Sequence, residues 1–362
     1  MSDSIPIPVD PAQEIRIPIP ELQAVVEKLL VKSSLFQFDA KVAAERMLEA
    51  DLYGVPSHGV AILCRLLQAM DNGDIDPRGR VLTLKEAPCF AVLEGSRAIG
   101  SLAASQGALL ASKKALEHGV GVVAIGDSQT LGAAEVYVRL MARENTIGIC
   151  MTSTGGATVT APGTRQGAVG NCALAYAIPV SESHPLVFDS ACGVESWGKL
   201  RLLQRYGVPL PEEMLLTRDG ELTSDLSQAA AIFANGGALG FGLSMLCSIL
   251  AGPLSGGWMP IHKKRRVDAE DSQHFFLALD PAKFCDIERF QNELKLTLQE
   301  IRDLPPEKES EPVRIPGDRG AMCYADAMEY GVPVHRSIAD EIRNLAIRKK
   351  IDVPWPASGD SI

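Results

Sequence analysis

The 362 residues, 46% hydrophobic and 22% charged, have the make-up of a water-soluble globular protein too long for one compact core, so two or three lobes are expected. A net charge of −10 argues against nucleic acid as the principal partner, and the one basic run, Lys263-Lys264-Arg265-Arg266, reads as a solvated loop. The eight cysteines hold no Cys-x-x-Cys or zinc-knuckle spacing, and most read as small buried hydrophobes in a reducing compartment, so no metal is expected. The segment from Met1 to Pro20 is polar and proline-rich, and no uninterrupted apolar run has bilayer length, so a cytoplasmic protein without a membrane partner is expected.

Leu22, Val25, Val26, Leu29 and Leu30 repeat at three and four, which predicts a first helix with one buried stripe. Ala40, Ala43, Ala44, Met47 and Leu48 predict a second, capped by Asp39 and ended by Gly54 and Pro56. Ser57 is then expected to cap a third helix carrying Val60, Leu63 and Leu67 in the core. His58 falls in its first turn, where free amides and the positive helix end favour a neutral ring or a bound anion. That position suits a proton donor to an oxyanion; the bland alternative is a histidine filling an interhelical corner.

A strand at Cys89–Leu93 marks the change from helices to mixed sheet and helix, and the first domain boundary is placed there. A long alanine-rich helix from Gly100 to His118 precedes Gly119-Val120-Gly121-Val122-Val123-Ala124, which formally matches a dinucleotide fingerprint. The match is rejected, because a helix runs in and a β-branched strand runs out, the reverse of what that fingerprint needs. Further on come a helix at Ala133–Glu144, strands at Ile147–Thr152 and Pro185–Ala191, and a glycine-rich helix start at Gly236-Gly237-Ala238-Leu239-Gly240 with Leu243, Leu246, Cys247 and Leu250 behind it. Asp189 closes an apolar strand. It is read either as an acceptor for a ligand hydroxyl or the histidine, or as the N-cap of a helix starting near Val194. Helices at Ile287–Leu304 and Ser337–Lys349 follow, the second packing back on the N-terminal helices, and Pro354–Ile362 reads as disordered.

Gly54-Val55-Pro56-Ser57-His58-Gly59-Val60, followed by Asn72-Gly73-Asp74-Ile75-Asp76-Pro77, resembles the opening of the malate/L-lactate dehydrogenase family that lacks a Rossmann fold, and the resemblance runs from about Leu22 to about Ile342. It implies an α/β fold in which a mixed sheet domain, residues 89–286, is flanked by a helical domain formed by both termini, residues 1–88 with 287–362. It also implies an oxidoreductase that moves hydride between NAD or NADP and a small-molecule 2-oxo acid-like or cyclic imino acid-like substrate. His58 would be the acid/base, assisted by Asp189. Cofactor contacts carry over to Pro185, Leu186, Val187, Phe188, Asp189, Ser190 and Ala191, to Ala238 and Leu239, and to Gly317, Asp318 and Arg319. Substrate contacts carry over to Ser57, Arg65, Thr130 and Thr152. A homodimer whose partner subunit helps wall the site is implied as well.

The chain departs from the family pattern at four polar positions. Ile62 stands where an arginine for the substrate carboxylate is usual, with Arg65 one turn on; Thr130 replaces a second histidine. Gly170-Asn171-Cys172-Ala173 stands for a Gly-Thr-Asn-Pro run, and Leu239 replaces a lysine. These changes keep open a second reading, a diverged member without redox activity that binds a partner or uses His58 for another proton transfer.

Overall fold

The computed structural model describes residues 5–263, 271–308 and 312–357. Strand β1 (Glu14–Ile17) leads into α1 (Ile19–Lys32) and α2 (Gln37–Leu52), and two single 3-10 turns, Pro56–His58 and Val60–Ile62, precede α3 (Leu63–Asp71). The hairpin β2 (Leu82–Ala87) and β3 (Phe90–Glu94), α4 (Gly100–His118), β4 (Val120–Ser128), α5 (Ala134–Arg143) and β5 (Ile147–Ser153) follow. Short β6 (Val159–Thr160) and β7 (Gly167–Val169) precede β8 (Ala173–Ile178), β9 (Leu186–Ala191) and α6 (Trp197–Arg205). Then come β10 (Leu215–Leu216), β11 (Leu222–Thr223), β12 (Ala231–Ile232), α7 (Ala238–Ala251) and β13 (Ser272–Leu279), and the chain closes with α8 (Ile287–Arg302), α9 (Asp318–Tyr330), β14 (Val332–His335) and α10 (Arg336–Arg348).

A seven-stranded sheet in the order β2-β3-β4-β13-β5-β8-β9 forms the centre. Only β3 and β4 pair in parallel; β13 inserts antiparallel between β4 and β5, and β8 and β9 add antiparallel strands. This is the mixed, non-Rossmann sheet expected, since a doubly wound fold needs parallel neighbours. Alternation along the strands divides two cores. Val123, Ile125 and Phe276 face α4 and α5 on one side, whereas Ala124 and Phe275 face α7 on the other. The two glycines of the rejected fingerprint have packing roles. Gly119, at φ +91°, ends α4, and a Cβ on Gly121 would lie 2.0 Å from the Ala111 carbonyl oxygen, so glycine lets the helix lie close on β4.

The helical core contains the predicted stripes of α1 and α2 together with Leu63, Leu66 and Leu67 of α3 and Ile338, Ala339 and Ile342 of α10. The β1–β14 pair ties the two chain ends beside it. The β2–β3 hairpin spans the expected boundary at residues 88 and 89, and Leu298 of α8 packs with Val180, Leu186 and Ile315 at the β9 edge of the sheet.

Several local expectations are corrected. Asp39 is not the cap of α2, whose N-cap is Phe36 with no side-chain bond. Ser57 does not cap α3, and His58 sits in a 3-10 turn ahead of it, because Pro56 starts a tight turn before the α-helix begins. The α7 face against the sheet is Gly240, Ser244, Cys247, Ser248 and Ala251, with Leu246 44% exposed, since small residues permit the closer approach. The stretch Ala238–Ser255 is apolar enough to cross a membrane by length and composition alone, but α7 itself ends at Ala251 and packs Gly240, Ser244, Cys247, Ser248 and Ala251 into the protein. Lys263 is buried rather than solvated, donating to the Ser153 and Asp271 carbonyls; Lys264, Arg265 and Arg266 lie outside the described residues. Trp355, in the tail expected to be disordered, is buried in the helical core, and the Arg343 guanidinium donates to its carbonyl.

Candidate active site

A cleft of about 420 Å³ opens between the helical core and the central sheet, and both His58 and Asp189 line it. The histidine wall is built from α2 outward. Gly54 turns the chain at φ +78°, and Asp51, the penultimate residue of the helix, accepts a hydrogen bond from the Val60 amide at 2.8 Å. Burial pushes the Asp51 carboxyl well above its usual range. Gly59 must be glycine here, since a Cβ would sit 2.1 Å from the Asp51 carboxylate. On that platform the Ser57 hydroxyl lies 2.9 Å from His58 Nδ1. The opposite edge of the ring faces α6, where a Cβ on Gly198 would come within 3.3 Å of Cε1 and 3.5 Å of Nε2.

The facing wall comes from the β4–α5 loop and β9. Gly132, at φ +87°, brings the loop against the His58 carbonyl, and Thr130 through Glu135 all line the cleft. Asp189 Oδ2 accepts from the Glu135 amide at 2.9 Å, so the acid holds the start of α5. The N-cap role considered for Asp189 is not found: Ser196 caps the helix after it, α6, accepting from the Lys199 amide, and Asp189 lies within β9 and reaches the start of α5 from across the fold. Burial raises the Asp189 carboxyl to about 6, against the lowering effect of the α5 amides and Arg139. Glu135 is pushed up to about 7 by burial, with Arg139 opposing and Asp189 adding to the rise. Arg139, 2% exposed, lies 3.6 Å from Glu135 Oε2 and 3.6 Å above the Tyr53 ring.

Of the other expected site residues, Ser57, Arg65, Thr130, Thr152, Ser190, Ala191 and Arg319 line the same cleft. Thr152 Oγ1 accepts from the Ala173 amide. Ile62 is also in the lining, with Arg65 beside it at the exposed rim. Pro185, Leu186, Val187, Phe188, Ala238, Leu239, Gly317 and Asp318 are not among the lining residues. Pro316 accepts from the Val187 amide, so the Gly317 turn packs on β9, while Phe188 stacks on Tyr176. Asp318 is engaged by Arg302 in a two-point pair and by the Ile315 amide. Leu239 is 68% exposed in the first turn of α7.

Sequence reasoning passed over Glu135 and Glu195 and gave Asn171 and Lys199 no role at the site. Asn171 bridges the Glu195 carbonyl and the Gly193 amide, and Lys199 pairs with Glu195 at 2.7 Å. The only sequence signal for Glu135 was its spacing of four from Arg139, which reads as a surface ion pair on a helix.

Fold and site together define a non-Rossmann dehydrogenase, and the comparisons agree. The chain matches the malate/L-lactate dehydrogenase family over residues 17–343 and belongs to it. It is 30% identical over 354 residues to a malate dehydrogenase of Pyrococcus horikoshii, covering 93% of this chain and 96% of that one. It is 27% identical to the ureidoglycolate dehydrogenase (NAD(+)) of Escherichia coli strain K12, over 86% of this chain and 90% of the other. The structure of malate dehydrogenase from Pyrococcus horikoshii superimposes with a TM-score of 0.86 at 28% identity, covering 96% of this chain and 98% of that one. The protein is therefore an oxidoreductase of this family.

Proposed function

We propose that the protein uses NAD or NADP to move hydride between the nicotinamide and a C=O or C=N carbon of a 2-oxo acid-like or cyclic imino acid-like substrate, with His58 as acid/base. The observation that carries this reading is the Ser57–His58 pair at 2.9 Å on the cleft wall. With the Ser57 hydroxyl donating to Nδ1, the neutral ring carries its proton on Nε2, from which it can be passed to a substrate oxygen or nitrogen. Arg65, one turn past Ile62, supplies a cation at the rim for a carboxylate.

The cleft suits a nicotinamide nucleoside by size and chemistry: its volume lies in the range of small-molecule sites, and one oxygen of the buried Glu135 carboxyl has no hydrogen-bond partner. Asp189, Ser190, Ala191 and Arg319 would hold it. When bound, the cofactor supplies the hydride. Asp189 keeps its second oxygen for a ribose hydroxyl while the first anchors α5. Pro185 to Phe188, Ala238, Leu239, Gly317 and Asp318 remain expected cofactor contacts, although none of them lines the cleft.

We infer a cytoplasmic homodimer on two supports: the eight cysteines are unpaired, and Leu239, Leu246 and Ile249 form an exposed apolar row on α7. A monomeric mass by light scattering at micromolar concentration would remove the dimer.

The second reading, a member without redox activity, draws on the apolar Leu239 at the helix start. Titration with NADH separates the two. Under the oxidoreductase reading its fluorescence is quenched with saturation, and the melting temperature rises with ligand concentration. Absence of both effects at millimolar NADH and NADPH removes that reading.

A further inference from the structure

Ile7 lines the cleft although it belongs to no helix or strand, so the segment ahead of β1 contributes to the site. Its course is fixed by contacts on both bodies. Ile5 packs with Val159, Leu200 and Leu215 around α6, whereas Ile7 packs against the helical core, so the arm crosses from one to the other. Where β1 begins the arm is tied down: the Ala12 and Gln13 carbonyls accept from Arg336, and the Tyr206 hydroxyl donates to the Glu14 carboxylate at 2.7 Å. Pro6 and Pro8 restrict the backbone on either side of Ile7 and leave it fewer states to lose when the arm is held there.

Apolar side chains from other elements converge near His58. Ile62 is 8% exposed and lines the cleft, and its Cδ1 lies 3.9 Å from where a Cβ on Gly132 would stand; the same Cβ would be 3.2 Å from the His58 carbonyl oxygen. Trp197 precedes Gly198, the residue whose Cβ would meet the His58 ring at 3.3 Å. Its indole nitrogen donates to Thr158 Oγ1 at 3.3 Å, so the ring offers carbon to the cleft it lines. Leu131 and Val194 add to this lining, while Arg65, Arg201 and Arg319 stand at the exposed rim. A substrate carboxylate meets the cations at the rim, and a tail turned inward past His58 meets carbon.

We propose that this apolar lining selects the substrate tail, with Ile7 of the N-terminal arm, Ile62 and Trp197 receiving a branched aliphatic or aromatic group, so that the protein prefers 2-oxo or 2-hydroxy acids bearing such a tail to those with a methyl group or a second carboxylate. This rests on the oxidoreductase reading for the reacting end of the substrate and on the apolar side chains for the other. Each methylene gained in a hydrophobic pocket is worth about 10–200-fold in discrimination. A carboxylate pressed against the same side chains loses hydration without gaining a partner.

Reduction of 4-methyl-2-oxopentanoate, pyruvate and 2-oxoglutarate with NADH or NADPH tests the idea, since their tails are branched apolar, methyl and anionic. The wild type is expected to favour 4-methyl-2-oxopentanoate over each of the others by at least about tenfold in kcat/KM. Ile7→Ser should cut the preference over pyruvate by about threefold or more, and Ile7→Leu should keep it, with both variants melting near the wild-type temperature. Calorimetric binding of 4-methyl-2-hydroxypentanoate, lactate and 2-hydroxyglutarate should show the same order without hydride transfer, so it reads the apolar lining even if neither nicotinamide binds. A wild-type preference for the methyl or the anionic tail in either assay, or no binding of any of the three hydroxy acids together with no turnover, overturns the proposal. An Ile7→Ser variant that keeps the full preference, lowers all three tails equally or fails to fold takes Ile7 out of substrate selection and overturns it as well.

Discussion

The two walls of the cleft solve opposite problems. The histidine wall is a short run of turns in which the Val60 amide is taken up by Asp51 and His58 Nδ1 by Ser57. The facing wall buries Glu135 and Arg139, half-buries Asp189, and leaves Glu135 Oε1 and two guanidinium nitrogens of Arg139 without hydrogen-bond partners, the two side chains meeting only as an ion pair at 3.6 Å. Satisfied polar groups hold one geometry, whereas unsatisfied buried ones cost stability until a ligand supplies what they lack. On the proposed function, the first wall is the one that positions the proton donor.

Breaking the first wall should give the largest effect. Glutamine at His58 keeps polarity and approximate volume but cannot exchange a proton near neutral pH. For His58→Gln, kcat is expected to fall at least about 10²-fold, with NADH affinity and melting temperature nearly unchanged. A variant that retains a tenth of kcat would remove His58 from the chemistry.

A milder change on the same wall is Gly198→Ala. The added methyl meets the Ser57 carbonyl at 2.9 Å and the His58 ring at 3.3 Å, so the ring must move by a few tenths of an ångström. A loss of about tenfold in kcat is expected, because catalytic groups displaced even slightly lose alignment. Single-turnover kinetics, which isolate the chemical step, check it; an unchanged rate would show that the ring has room to give.

The histidine wall was legible in sequence because Gly54, Pro56, Ser57, His58 and Gly59 are turn-forming and reactive residues standing together between two clear helical stripes. Even there the 3-10 turn was not legible, since periodicity marks where a helix packs but not how its first turn is wound. The facing wall was nearly silent. Asp189 stood out only at the end of an apolar strand, and nothing local tells that β9 runs beside the start of α5, which depends on the order of strands across the sheet. On α7 the pattern was mostly legible, since Leu243, Cys247 and Leu250 pack against the sheet-side core and only Leu246 of the four named residues is exposed.

The smallest expected effect sharpens the second wall through stability alone. Burial raises Glu135 from 4.5 to about 7, so the folded chain binds this proton more tightly than the unfolded chain does. The stabilisation from that proton is complete below about pH 4.5 and is lost as pH rises through about 7, because over that window the native state holds more protons. The difference corresponds to at most about 3 kcal/mol. Asp189, raised to about 6, and buried Asp51 act in the same direction, while His274, lowered to about 3 by burial, acts oppositely by disfavouring the folded state as pH falls below about 6.5. Those groups remain in Glu135→Gln and largely cancel in a comparison of the two proteins. Urea unfolding at pH 5 and pH 8 should therefore show the wild type losing about 1–3 kcal/mol more than Glu135→Gln between the two pH values. Equal losses would mean that Glu135 is ionised throughout, and the second wall would then hold a permanent anion instead of a group that titrates near neutral pH.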